Sequence, residues 1–453
     1  MKHVVLTVAL LLLGAPVAFS ANLAIIDSGV DYKHKDLSAK MWTNANGKTV
    51  DADGTVYNED THGWNFAEKN NQIIDYKYLG TFSNDCYKIF EVQGKVLTGV
   101  ATEEEKTWYA AKKKDETFLK ELSKFGNFVH GSHVSGISSK DTNGAKLIGV
   151  KLIATEPPAA PGGRLMQLAQ QWAKQHHATF GDEANNPIAL MLLGFLAKQQ
   201  AGMLTTVGKY AHAVHADVAN GSFGTSVAAV SPVVSQLLEK FLGHKPTEAE
   251  TKEYAAYFVT QIADASKEFV AAAPETLFVF AAGNDGTNND TVPVSPANIK
   301  ADNSIAVAAT QGSEKLASFS CYGEKMVEVA APGVIIKSTI PGDQYLALSG
   351  TSMAAPFVTN VAGAIKDANP AFKAADIKRV LMETVDVKDF LKGKVKTSGI
   401  VNKKRAVRAA ELSTTIGLNE AIAQSRIQVS DEVSTTDSVS DFEPIVLPLP
   451  NFF

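Results

Sequence analysis

Four short runs carry apolar side chains at nearly every position: Leu23–Ile26, Leu147–Ile153, Leu277–Ala281 and Ile305–Ala309. A strand with one wet face alternates apolar and polar residues. A run that is apolar throughout has both faces covered, the condition met in parallel sheets between two helix layers. Helix-length patterns lie between and after these runs. The chain therefore reads as α/β, a doubly wound, mostly parallel sheet flanked by helices. With 453 residues, 45% of them hydrophobic, it can bury one large core or two or three smaller ones. In such sheets chemistry gathers where strands end and helices begin.

One such junction is Gly350-Thr351-Ser352-Met353-Ala354-Ala355-Pro356. A serine among small residues at a helix start lets a substrate approach closely. The helix start also offers unpaired N–H groups to a developing oxyanion. A nucleophilic serine needs a base, and the base needs an orienting group. His130-Gly131-Ser132-His133-Val134-Ser135-Gly136 supplies histidines, and Ala24-Ile25-Ile26-Asp27-Ser28-Gly29-Val30-Asp31 ends an apolar strand on a carboxylate. The chain order is Asp27, His130, Ser352. Taken singly, each residue has a plain alternative: Asp27 a turn former, His130 a core histidine, Ser352 a helix cap.

Together these segments resemble the subtilisin-like (subtilase) serine protease family. Ala281-Ala282-Gly283-Asn284-Asp285-Gly286 resembles the family's oxyanion segment, and Ala216-Asp217-Val218-Ala219-Asn220-Gly221-Ser222-Phe223-Gly224 its substrate-pairing strand. Matching blocks run from about Ile25 to Ala409, with long unmatched stretches between them. The resemblance implies a subtilisin-like fold and a serine-type endopeptidase without an organic cofactor. Ser352 would attack the scissile carbonyl, His130 would take and return the proton, and Asp27 would orient the imidazole. Asn284 would donate to the oxyanion. An extended polypeptide would lie along Ser222, Phe223 and Gly224, with the first specificity pocket walled partly by Ala281, Ala282 and Gly283. His133 and Asp31 stand at the second positions of their motifs and are read as supporting residues.

Lys2 and His3, the apolar run Val4–Leu13 and Ala18-Phe19-Ser20 before Ala21 form a secretory signal pattern over residues 1–20. The expected location is outside the cytoplasm, extracellular or periplasmic, with no stable membrane span once the signal is removed. The catalytic domain is expected over 21–411. Three stretches exceed the family's spacing: about 68–128, 156–213 and 225–273. Within the first, Glu103 to Phe125 reads as one amphipathic helix. Ala21 runs almost directly into the Asp27 block, leaving no room for the prodomain many relatives carry. Either the chain folds unaided, or an insertion or the tail restrains it. Residues 412–453 read as an acidic, disordered tail: from Val429 onward there are five acidic residues and no Lys or Arg. The tail ends in the apolar, proline-interrupted stretch Pro444–Phe453. That stretch fits a groove such as the chain's own cleft, a sorting tag, or a free end.

A net charge of −5 argues against nucleic acid as a partner, and polypeptide substrates are the partners expected. Asp51, Asp53, Asn58, Glu59 and Asp60 form an oxygen-rich segment that suits calcium, though not at EF-hand spacing. His176, His177, His212 and His215 have no accompanying zinc signature. Cys86 and Cys321 leave two readings open, one disulfide or two buried thiols. Two other activity classes remain: an esterase or acyl transferase using the same three side chains, and a binding protein on a protease fold.

Overall fold

The computed structural model describes residues 20–142, 144–156, 163–178, 186–242, 244–432 and 445–447. Almost all of the signal pattern, residues 1–19, lies outside them. Nine strands form the spine of one sheet: β1 (Asn22–Asp27), β2 (Gly63–Asn65), β3 (Lys146–Lys151), β4 (Val218–Gly221), β5 (Leu277–Ala281), β6 (Ser304–Gln311), β7 (Val329–Pro332), β8 (Asp386–Val387) and β9 (Gly399–Ile400). Their order is β8-β9-β7-β6-β5-β4-β1-β3-β2. Every neighbouring pair is parallel except β8 with β9 at one edge. The four apolar runs became four of its inner strands.

Alternation along those strands splits their side chains between two cores. Leu23, Ile25, Leu147, Val279 and Val307 enter one; Ala24, Ile26, Ile148, Val150, Phe278 and Phe280 enter the other. Among the described residues, twelve helices cover the sheet or extend from it: α1 (Asn84–Leu97), α2 (Glu103–Lys112), α3 (Glu116–Ser138), α4 (Gly163–Gln175), α5 (Pro187–Ala213), α6 (Val227–Leu242), α7 (Glu248–Ala265), α8 (Lys267–Ala271), α9 (Thr351–Ala368), α10 (Ala374–Glu383), α11 (Lys403–Leu412) and α12 (Leu418–Gln428). Helices α1, α3 and α9 to α12 contribute to the first core, and the second half of α5 and α8 to the second.

The insertions at 156–213 and 225–273 pack on each other. Trp172 of α4, Leu192 and Leu196 of α5, Val234 and Leu238 of α6 and Phe258 of α7 share a separate apolar cluster. Helix α5 is long and apolar enough to cross a membrane on length and composition alone. Here its buried apolar residues are divided between that cluster and the sheet.

Two expectations are corrected. Glu103 to Phe125 is not one helix, because the chain stops at Lys112 and restarts at Glu116. Asp115 caps the second helix by accepting from Phe118 N, and Thr102 with Glu105 forms a capping box on the first. Nor is the stretch after Ser413 wholly irregular. Helix α12 buries Ala421, Ile422 and Ser425 against α11, and Arg405 pairs with Asp386 and Asp431 just beyond it. Leu418, Ala421, Ile422 and Ser425 follow helical i, i+3, i+4, i+7 spacing, a stripe outweighed in the sequence by the polar residues around it. Residues 433–444 and 448–453 lie outside the described residues.

Candidate active site

Parallel pairing brings the site together. Ile26 of β1 is in register with Gly221 of β4, so Asp27 and Ser222 sit beside each other at adjacent strand ends. Ser352 is the second residue of α9, and its hydroxyl donates to the Ser222 carbonyl at 3.4 Å. Ser222 Oγ returns a hydrogen bond to the Ser352 carbonyl at 3.1 Å and accepts one from Asn220 Nδ2 at 2.9 Å. His130 lies in α3, and its Nδ1 meets Asp27 Oδ1 at 2.7 Å. With Nδ1–H donating to the carboxylate, Nε2 is the basic nitrogen. Asn360 of α9 donates to the carbonyls of Ser138 and Lys140. Ser138 lies eight residues beyond His130, as Asn360 lies eight beyond Ser352.

Asp27, His130 and Ser352 are 0%, 2% and 2% exposed. Asp27 Oδ1 also accepts from Ser28 N at 2.7 Å and Ser28 Oγ at 3.1 Å, while Oδ2 has no partner among the described residues. Among them no hydrogen bond joins Ser352 Oγ to His130. Its contact is the long one to Ser222, a looseness common before substrate binds. Close approach of β1 and α3 depends on glycine: a Cβ on Gly131 would stand 2.2 Å from the Gly29 carbonyl oxygen.

Asn284 follows β5 and is oriented by the start of α9. Its Oδ1 accepts from Thr351 N at 2.9 Å and Thr351 Oγ1 at 2.8 Å, which leaves Nδ2 to donate elsewhere. A Cβ built on Gly350 would lie 3.5 Å from that Nδ2 and 3.6 Å from Ser352 N, so both donors border one small space. Gly283 has φ +120°, and a Cβ there would meet Cys321 Sγ at 2.8 Å. Ala281, Ala282, Ser222 and Phe223 are fully buried. The side chains of Ala281, Ala282 and Phe223 belong to the cores, so what these three can offer a ligand is backbone. Gly224 follows in the same segment, outside any strand.

A family model described as the subtilase family matches residues 20–413. The chain belongs to the subtilase family. M-protease of Shouchella clausii is 38% identical over 29% of this chain and 33% of its own length. Thermitase of Thermoactinomyces vulgaris is 42% identical over 29% of this chain and 44% of its own. The chain thus spans less than half the length of these relatives. A solved structure titled as that of a lanthipeptide protease aligns over 85% of this chain and 86% of its own, at 16% identity and a TM-score of 0.48.

The second residues of the motifs do different work in this subtilase. Asp31 holds the loop after β1, accepting from Tyr76 OH at 2.6 Å and Gly342 N at 2.9 Å. His133 donates Nε2–H to the Leu346 carbonyl at 2.9 Å. Burial pushes its imidazole down to about 3, so it stays neutral in the fold at every ordinary pH. An unfolded chain would take up that proton near pH 6.5. The folded value is the lower one, so this contribution to stability is complete above about pH 6.5 and is lost as pH falls towards 3. His133→Gln is expected to flatten the decline of unfolding free energy between pH 6 and 4 by about 1.4 kcal/mol per pH unit. Urea unfolding across that range checks it, and an unchanged slope would rule it out.

The oxygen-rich segment does not fit calcium. Asp60 accepts from Asn44, Thr49 and Tyr210, Asp51 from two backbone N–H groups and Tyr57, and Asp53 pairs with Lys209. Protein donors already occupy these carboxylates, and no metal-sized group of His, Cys, Asp and Glu occurs among the described residues. Cys86 and Cys321 are separate buried thiols, and burial pushes Cys86 up to about 11. Sequence reasoning passed over Thr351, which aims Asn284. Its position between the quoted Gly350 and Ser352 could have flagged it.

Proposed function

We propose that this subtilase is an exported serine endopeptidase that hydrolyses extended polypeptides through Asp27, His130 and Ser352, with Asn284 assisting at the oxyanion. The buried 2.7 Å pair of His130 with Asp27 carries the reading, because it lies one strand away from the carbonyl that holds the Ser352 hydroxyl. In the reaction His130 Nε2 takes the Ser352 proton as Oγ bonds to the scissile carbon. The same nitrogen then protonates the leaving amine, and water repeats the cycle on the acyl-enzyme. Ser352 N and Asn284 Nδ2 receive the charge that grows on the carbonyl oxygen. A substrate strand would align by backbone along Ser222, Phe223 and Gly224, which favours broad sequence tolerance.

Export is supported by the signal pattern and by a contact just after it. Ala21 is buried, and its backbone N–H donates to Asp367 Oδ1 at 2.7 Å. Cleavage after Ser20 would turn that N–H into an ammonium facing a carboxylate.

Incubation with denatured casein, with and without a fluorophosphonate, tests the whole reading. New N-termini that vanish when Ser352 is labelled are expected; ester hydrolysis without new N-termini would replace peptidase by esterase. Asn284→Ala is expected to lower kcat by about 100-fold or more with little change in KM, the size measured for the corresponding loss in a subtilisin. A kcat within a few-fold of wild type would remove Asn284 from the oxyanion site.

A further inference from the structure

The candidate site is not empty of protein. The Leu447 carbonyl accepts a hydrogen bond from Asn284 Nδ2 at 3.3 Å. Val446 Cγ1 lies 3.5 Å from where a Cβ on Gly350 would stand, the point that also borders Ser352 N. The Leu447 side chain is buried in the same apolar cluster as Phe125 and Val129, against Gly126, one helical turn before His130. The other end of this segment is clamped. Ile445 N donates to Gln93 Oε1 at 2.6 Å and to Tyr109 OH at 3.1 Å, and Tyr109 OH donates to the same Gln93 oxygen at 3.0 Å. Gln93 belongs to α1 and Tyr109 to α2, both within the 68–128 insertion.

We infer that Ile445-Val446-Leu447 is the subtilase's own inhibitor, a substrate-like strap that the insertion clamps across the cleft. The inference rests on the protease reading of the site. Its peptide carbonyl takes the donor reserved for the substrate's oxyanion, so strap and substrate exclude one another. A three-residue contact is weak between separate molecules. Tethering makes it effective, because the chain end is held at a local concentration on the order of millimolar. The tether has a fixed base: Asp431 pairs with Arg405, and Glu432 N donates to Asp386 Oδ2 at 2.8 Å. The sequence also explains how a strap survives in a protease. Leu447 is followed by Pro448, so the bond after the held carbonyl has no N–H and carries a ring carbon in its place. The 68–128 insertion and the tail, two of the parts of the chain that exceed the family spacing, act as one device.

Full-length variants test this without disturbing the proposed catalytic groups. Ile445→Pro removes the clamped N–H, Gln93→Leu removes its acceptor, and Leu447→Asp puts a charge into an apolar cluster. Each is expected to raise kcat/KM for a short quenched peptide at least ~10-fold and to speed fluorophosphonate labelling of Ser352. Deletion of residues 445–453 should do the same. A synthetic peptide of residues 444–453 should then inhibit the released variants competitively. Equal turnover by wild type and all four variants, with no competition by the peptide at about 1 mM, would overturn the inference. Should no variant turn over substrate or label, the protease reading has failed instead. Binding of the fluorescein-labelled peptide to the Leu447→Asp protein then decides the strap: saturable binding that Gln93→Leu weakens upholds docking, and no binding refutes it.

Discussion

Ser352→Ala is expected to lower kcat for a peptide substrate about a millionfold, roughly 8 kcal/mol of barrier, the scale measured for this loss in subtilisin. Only a group that forms and breaks a bond in every turnover gives so large an effect. The structure supplies the reasons to expect it here. Ser352 is buried at the start of α9, its hydroxyl turned to a strand-end carbonyl next to the His130–Asp27 pair. Removing one Oγ leaves helix, sheet and Asn284 in place, so folding and peptide binding are expected to survive. KM and melting temperature should therefore change little while kcat collapses. Adding His130→Ala to Ser352→Ala should cost almost nothing more, because a base without a nucleophile has no proton to take. Progress curves of purified protein, corrected for contaminating protease by fluorophosphonate titration, measure it. Hydrolysis near the wild-type rate by Ser352→Ala would end the serine-protease reading.

The sheet was legible because its strands are apolar on both faces. Leu23–Ile26 and Leu277–Ala281 can be buried in few other ways, and both became inner strands of a parallel sheet. Asp27 and His130 were legible as a pair through motif order alone. Their 103-residue separation in the chain closes only because β1 and α3 meet through Gly29 and Gly131. Local signals failed where two weak preferences competed. Between Glu103 and Phe125 the apolar stripe suggested continuity, whereas Asp115 as an N-cap favoured a break, and the cap prevailed. In the tail, acidic composition masked the short apolar face of α12. Gln93 and Tyr109 carried no signal at all. A glutamine and a tyrosine on inserted helices acquire meaning only when Ile445, more than 330 residues onward, arrives to share its N–H with them.

Asp27→Ala is expected to cost about ten thousandfold in kcat, less than loss of the serine because orientation and charge stabilisation are removed while nucleophile and base remain. Asp27 has no exposed surface, and three donors converge on its Oδ1: Ser28 N, Ser28 Oγ and His130 Nδ1. Two of them belong to the turn, so the carboxylate is fixed before the histidine arrives. The imidazole is then held through Nδ1, which leaves Nε2 as the nitrogen to take a proton, and in the proposed reaction the new imidazolium would find a negative charge 2.7 Å away in a buried pair. Asp27→Asn separates these two contributions. Its carbonyl oxygen can keep all three donors at the Oδ1 position, but the formal charge is gone. If orientation were sufficient, Asn would restore most of the activity that Ala loses. A pair this deeply buried argues for charge, because among the described residues Asp27 is the only carboxylate paired with His130. Asn is therefore expected to fall nearly as far as Ala, with both proteins folded by circular dichroism and still slowly labelled at Ser352. Recovery by Asp27→Asn to within a few-fold of wild type would show that the carboxylate serves only as a rest for the histidine.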